Sequence, residues 1–344
     1  MADRHDLITI EVPAGGIEQH RLTQLPVLVL HAHTSCNCRC VMCDIWKTND
    51  SRVFRPADLE SQLDSIRRLR VRWVVLSGGE PLLNSEWPQL CAILRQEGIR
   101  LTLLTTGLLL GKYAGQVAER FDDVIVSLDG PERIHDAIRR VEKAFLLLQR
   151  GVDAVRQHRP SLTITARTTI QKANHAHLRE THASAKQLNL SGISFLAADL
   201  TSEAFNRPLG WSATRQSEVA LSADEVAVLE AEIESLIAEN SEDIRSGYLA
   251  ESSEKLRRIA RHFRAHLGLD RTQSPRCNAP WTSAVIEADG TVRPCFFHPP
   301  IGNIARTSLE EVINGNEALA FRSRLDIPNN SICERCVCSL NYRS

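Results

Sequence analysis

With 344 residues and a formal net charge of −1, the chain can bury a large core and carry two units, or one with an appendage. It has no excess charge to make nucleic acid its main partner, and no run approaches the roughly 18 apolar residues of a membrane span. Its ten cysteines, with no export signal ahead of them, point to metal or catalysis in a reducing cytoplasm rather than to disulfides.

Residues 1–24 read as an N-terminal extension, in which Ile8, Ile10 and Val12 alternate before Pro13. That pattern predicts a strand or hairpin packed outside the main domain, too short to be a leader-peptide-binding unit. Residues 25–205 alternate between strand and helix. An apolar strand from Val27 to Leu30 leads into a loop holding Cys36, Cys38, Cys40 and Cys43. Pro56 then opens a helix with Leu59, Leu63 and Ile66 on one face. The strand Trp73 to Leu76 ends in Ser77-Gly78-Gly79-Glu80-Pro81. The next helix runs through Trp87, Leu90 and Leu94 to a stop at Gly98, with Cys91 on its apolar face as a core thiol.

The strand Leu101 to Leu104 ends at Thr105-Thr106-Gly107, and Val124 to Val126 ends at Ser127-Leu128-Asp129-Gly130-Pro131. A helix over about 136–156, a strand from Leu162 to Ile170, a helix near 175–188 and a strand from Ile193 to Leu196 follow. Alternation along the longest of these strands sets Arg167 with Thr163, Thr165 and Thr169, opposite Leu162, Ile164 and Ile170. Six βα-like units of this kind demand a parallel sheet with right-handed crossovers.

Residues 206–272 break the rhythm and read as a helical linker or lid. Ser222 to Glu225 forms a capping box, and a second helix carries Leu256, Ile259, Phe263 and Leu267. Residues 273–344 hold five cysteines, a short strand near Ala284 to Ile286 and a turn at Asp289-Gly290.

Cys36, Cys40 and Cys43 on one short loop can each take a corner of a [4Fe–4S] cube, leaving the fourth iron for a non-protein ligand. A structural zinc with His31, His33 or Cys38 as its fourth ligand is the competing reading. Cys38 otherwise reads as a spare thiol.

A strand followed by Cys-x3-Cys-x2-Cys, with Gly78-Gly79-Glu80-Pro81 one βα unit later, resembles the radical S-adenosylmethionine (SAM) superfamily. The resemblance implies a partial (β/α)6 barrel, an α/β fold in which the open iron chelates SAM. One electron then cleaves SAM to methionine and a 5′-deoxyadenosyl radical. It further implies that Gly78, Gly79 and Glu80 line the methionine amino group and that Ser127 helps to hold SAM. Met42 stands where the family prefers an aromatic residue near adenine. Asp129 is a candidate for SAM or substrate contact, or else simply forms the turn with Gly130. Arg167 either clamps the SAM carboxylate or makes a rim salt bridge. Thr105 and Thr106 line the same rim.

At the C-terminal side, Cys277 is separated by seventeen residues from Cys295, which ends a Gly-x4-Cys segment, and Cys333-Glu334-Arg335-Cys336 follows. This resembles the SPASM/twitch extension of radical SAM enzymes, a small α+β unit. It implies Cys277, Cys295, Cys333 and Cys336 as ligands of a second [4Fe–4S] cluster, with four-thiolate zinc as the alternative. Cys338 is surplus. It replaces Cys336 as a ligand, stays inert, or donates a hydrogen atom to a substrate radical. Trp281, Phe296 and Phe297 read as core, with His298 a candidate to face a substrate.

The expected function is SAM cleavage followed by hydrogen abstraction from a small polar metabolite, in a dehydrogenation or epimerisation, with electrons from a flavodoxin- or ferredoxin-type donor. Modification of a ribosomally made peptide is the near alternative. A non-catalytic iron–sulfur or zinc protein is the remote one.

Overall fold

A computed structural model describes residues 17–338 and 340–342; the strand expected around Ile8 to Val12 lies outside them. Six parallel strands form the body of the sheet. They are β1 (Val27–His33), β2 (Trp73–Gly78), β3 (Arg100–Thr105), β4 (Asp123–Ser127), β5 (Thr163–Ile170) and β6 (Gly192–Ala197). They lie side by side in chain order, as right-handed crossovers require. One face of each strand is apolar and fully buried against the helices, as with Leu28, Leu30, Val74, Leu103, Val124, Ile164 and Ala166. The other face carries His31, Ser127, Arg167 and Ser194, and these are only partly covered. This half-polar inner face is the wall of an open, partial barrel.

The C-terminal hairpin does not stand apart from the barrel. Strand β7 (Ser283–Ile286) pairs in parallel with β1, Val27 opposite Ser283 and Leu30 opposite Ile286. Strands β8 (Thr291–Arg293) and β9 (Gly302–Asn303) extend the sheet antiparallel, giving the order β6-β5-β4-β3-β2-β1-β7-β8-β9. Without β7 the free edge of β1 would present unpaired N–H and C=O groups.

Two expected helices are divided. That opened by Pro56 stops at Glu60 and restarts at Leu63. Between the halves, buried Gln62 reaches across to accept from Leu309 N at 2.7 Å. The helix expected over 136–156 is instead Glu132–Arg139 and Ala144–His158. Arg140 and Lys143 both adopt left-handed φ between them, and Asp136 accepts from Phe145 N at 2.8 Å to start the second half. The insertion packs against the barrel. Helix Ser253–His266 packs on β6 and on helix Ala223–Glu239. Just before it, residues 248–250 bond to the outer edge of β6 through Ile193 N to Tyr248 O and Ala250 N to Ile193 O.

Candidate cluster and cofactor site

Cys36, Cys40 and Cys43 lie on the loop after β1, at the rim where the carboxyl ends of the strands deliver their residues. The two glycines ending β2 set the height of this loop. A Cβ on Gly79 would stand 2.1 Å from Ser35 O, and one on Gly78 2.5 Å from His33 O. Gly78 also holds φ at +122°, a conformation open to glycine. The freed space admits two backbone bonds, Gly79 N to His33 O at 2.8 Å and Glu80 N to Ser35 O at 2.9 Å. The close neighbour of the glycines is thus the cysteine loop's own backbone.

Glu80 is fully buried. Its carboxylate accepts from Thr106 N at 2.7 Å, Thr105 Oγ1 at 2.8 Å, Thr106 Oγ1 at 2.7 Å and Leu82 N at 3.1 Å. Burial pushes its pKa up, and these donors work against that rise. Thr106 Oγ1 is also 3.0 Å from Asn37 Oδ1, so Glu80 and Thr106 tie the rim to the cysteine loop.

Each of the three loop sulfurs has an N–H donor. Cys38 N reaches Cys36 Sγ at 3.5 Å, Ile45 N reaches Cys43 Sγ at 3.4 Å, and Arg139 Nη1 reaches Cys40 Sγ at 3.5 Å. Such donors suit thiolates. Cys40 is lowered to about 7, chiefly by a hydrogen bond from the Cys38 thiol, against burial and with help from the Arg139 charge. Burial drives Cys43 up to about 12. Cys38 is buried among these sulfurs. His33 Nδ1 is engaged by Ser35 N at 2.8 Å, and the His31 ring packs on Phe296 at 5.7 Å.

A strap from residues 199–215 grips the far side of the loop. Buried Arg207 donates to Met42 O at 2.6 Å and to Asp199 at 2.8 Å, with its guanidinium 3.6 Å from the Trp211 ring centroid. Trp211 Nε1 donates to Asp44 Oδ2 at 2.8 Å, Asn206 Nδ2 donates to Asp44 O at 3.1 Å, and Arg215 donates to Val41 O. None of this was expected from sequence. Met42 itself is nearly buried in the core.

Ser127 and Arg167 are partners in register across β4 and β5, with Ser194 next across β6. Ser127 is partly exposed and Arg167 more so, on the inner face. Asp129 is drawn inward instead. It is completely buried, ion-paired to Arg139 Nη2 at 2.6 Å, and accepts from Thr169 N at 3.1 Å. Its carboxylate is committed to protein groups rather than offered to the open face. The buried faces of helix Glu132–Arg139 (His135, Ile138, Arg139) follow the i, i+3, i+4 rule. A charge on that stripe was the available signal for Arg139, and sequence reasoning missed it.

Cys277, Cys295, Cys333 and Cys336 line one apolar cavity together with Phe297 and His298. Among the described residues no three Cys, His, Asp or Glu side chains form a group placed to hold a metal ion. Burial raises Cys295 to about 11 and Cys333 to about 12, so binding a metal group there must displace protons. Cys277 Sγ takes Ala279 N at 3.4 Å, and His298 Nε2 sits 3.3 Å from Cys333 Sγ. His298 therefore faces this cavity. Cys338 is exposed and off the cavity lining, and its carbonyl accepts from the Cys336 thiol at 2.8 Å. Phe296, next to Cys295, touches both His31 and Phe205, joining the two cysteine regions. Cys91 is a buried core thiol, as its helix position predicted.

Comparisons with known proteins agree with this geometry. Residues 32–184 match the radical SAM superfamily, and residues 277–337 match the SPASM iron–sulfur cluster-binding domain. The pre-heme d1 synthase of Dinoroseobacter shibae is 33% identical over 167 residues, 46% of this chain and 40% of that protein. The Fe-coproporphyrin III synthase of Methanosarcina barkeri is 28% identical over 159 residues, 43% of this chain and 38% of that protein. The chain thus spans about two fifths of the curated relatives it matches. In fold it resembles anSMEcpe with bound AdoMet and the Cp18Cys peptide (TM-score 0.63, 19% identity, 92% of this chain and 93% of the other). It also resembles Streptococcus suis SuiB bound to the precursor peptide SuiA (TM-score 0.64, 14% identity, 94% and 74%). Among the described residues no helix is long and apolar enough to cross a membrane. The cysteine loop lies within the first matched stretch and the four thiols of the second cavity within the other, and on these two matches the chain belongs to the radical SAM superfamily, with SAM and [4Fe–4S] as cofactors and a SPASM-type iron–sulfur domain after the barrel.

Proposed function

We propose that the chain is a SAM-cleaving enzyme that removes a hydrogen atom from a small polar metabolite bound on the open barrel face, in a dehydrogenation or epimerisation. The observation that carries this reading is the cysteine loop, pinned by Gly79, Glu80 and Arg207 so that three sulfurs with N–H donors share one rim. Cys36, Cys40 and Cys43 would hold the first cluster, and Cys277, Cys295, Cys333 and Cys336 the second. Bound at the first, SAM supplies one-electron chemistry strong enough to break an unactivated C–H bond, with electrons from a flavodoxin- or ferredoxin-type protein.

The chain's own part is to bind, orient and exclude water. Arg167 and Ser127 stand side by side on the inner face to meet a carboxylate and its neighbouring polar groups. Met42 offers a polarizable wall to adenine. Glu251, which accepts from Ser194 Oγ at 3.0 Å and Phe195 N at 2.8 Å, sets a half-buried acid beside the same face. These polar groups favour a polar substrate.

Anaerobically reconstituted protein given SAM and dithionite should release 5′-deoxyadenosine, and Cys36→Ser should abolish release. Iron and sulfide should each be about eight per chain for two four-iron cubes. A Cys277→Ser/Cys295→Ser variant should lose about half of each and still cleave SAM. Iron-loaded protein that leaves SAM intact overturns the reading.

A further inference from the structure

Arg139 and Asp129 form an ion pair sealed from solvent beside a proposed cluster ligand, with side-chain exposures of 8% and 0%. Arg139 Nη2 is 2.6 Å from Asp129 Oδ2, and Nη1 is 3.5 Å from Cys40 Sγ. The backbone is stitched at the same place, with Arg39 N donating to Arg139 O at 3.1 Å and Val41 N to Ile138 O at 3.0 Å. Arg139 Nε is also buried and has no hydrogen-bond partner among the described residues. A buried N–H without a partner calls for an acceptor, and the sulfur atoms of a bound cluster are acceptors. A buried ion pair is weak evidence for stability, because desolvation consumes much of its Coulomb gain. The charge so held needs another account.

We propose that the Asp129–Arg139 pair sets the reduction potential of the cluster held by Cys36, Cys40 and Cys43. Arg139 favours the reduced state by donation to Cys40 and by its charge, and Asp129 moderates that charge. Hydrogen bonds to cluster sulfur and local charge are levers on iron–sulfur potentials, and the low dielectric around this pair keeps both from being screened. Arg139 is then a positioning and tuning residue that touches neither substrate nor SAM. This inference rests on the cluster assignment above.

The test is an EPR-monitored redox titration of the full-length, two-cluster protein, following the signal that changes when SAM is added. Arg139→Met should move that midpoint negative, Asp129→Asn should move it positive, and Arg139→Lys should fall between wild type and Arg139→Met. Opposite signs from the two halves of one pair separate tuning from mere support, since loosening the loop would shift both variants alike. Midpoints that stay put, or move together, overturn the inference while a SAM-responsive signal keeps the cluster assignment. Absence of any SAM-responsive signal in wild type fails that assignment instead. Should Arg139→Met not load iron, Arg139→Lys and Asp129→Asn still decide, because their midpoints must lie on opposite sides of wild type.

Discussion

Replacing Glu80 by Ala removes the acceptor of two backbone N–H groups and two threonine hydroxyls, all in a fully buried setting. Thr106 Oγ1 can turn to Asn37, but the two N–H groups are left unpaired at about 1–3 kcal/mol each. Relief of the buried carboxylate's desolvation, the cause of its raised pKa, offsets part of this. The net loss is about 3–5 kcal/mol, the range seen on breaking buried charged networks. For 344 residues the unfolding entropy is about 0.7 kcal/mol/K, so Tm should fall by about 4–7 °C. Glu80→Gln keeps one acceptor oxygen but turns an NH2 towards the donors, and should cost about half as much. Anaerobic thermal melts of the cluster-loaded protein at one scan rate read both effects. Because Thr106 links Glu80 to the loop, iron release to a chelator should quicken in the same order. A Glu80→Ala protein melting within 1 °C of wild type would refute the claim that this carboxylate holds the rim to the cysteines.

Gly79→Ala places a methyl group where Ser35 O already stands 2.1 Å away; forced repacking of about 1–3 kcal/mol or more should appear as a lower Tm and reduced iron loading by colorimetric assay. Arg207→Met leaves Asp199 without its ion partner and frees Met42 O, so stability should drop by about 3–5 kcal/mol, read as a lower Tm, and chelator should strip iron faster. Cys91→Ala, remote from both cysteine sites, should cost about 1 kcal/mol of packing and leave the iron content unchanged. Cys338→Ala should also retain the full iron count by metal analysis, since that thiol lies off the cavity lining.

Periodicity carried most of the barrel. The strands from Val27 to Leu196 were legible because their buried faces are mostly apolar at alternate positions, and the cysteine spacings announced both cysteine regions. What stayed hidden depends on partners far apart in the chain. No local pattern tells that Arg207 will find Met42 O 165 residues away, or that Gln62 will bond Leu309. Gly78 and Gly79 stand out in the sequence, yet their spatial demand comes from His33 and Ser35, which only the folded register reveals. Asp129 looked like a turn residue or ligand contact because its counter-ion, Arg139, ends a helix that the pattern ran through to 156. The helix break at Arg140 and Lys143 uses left-handed φ without glycine, so composition gave no warning.

The pairing of β1 with β7 has a consequence for biosynthesis. The second flank of the earliest strand is completed by residues 283–286, and Phe296 comes later still to pack against His31. A nascent polypeptide therefore leaves the ribosome with a naked hydrogen-bonding edge beside its reactive thiols until most of translation is done. Such long-range closure is slow and invites mispairing.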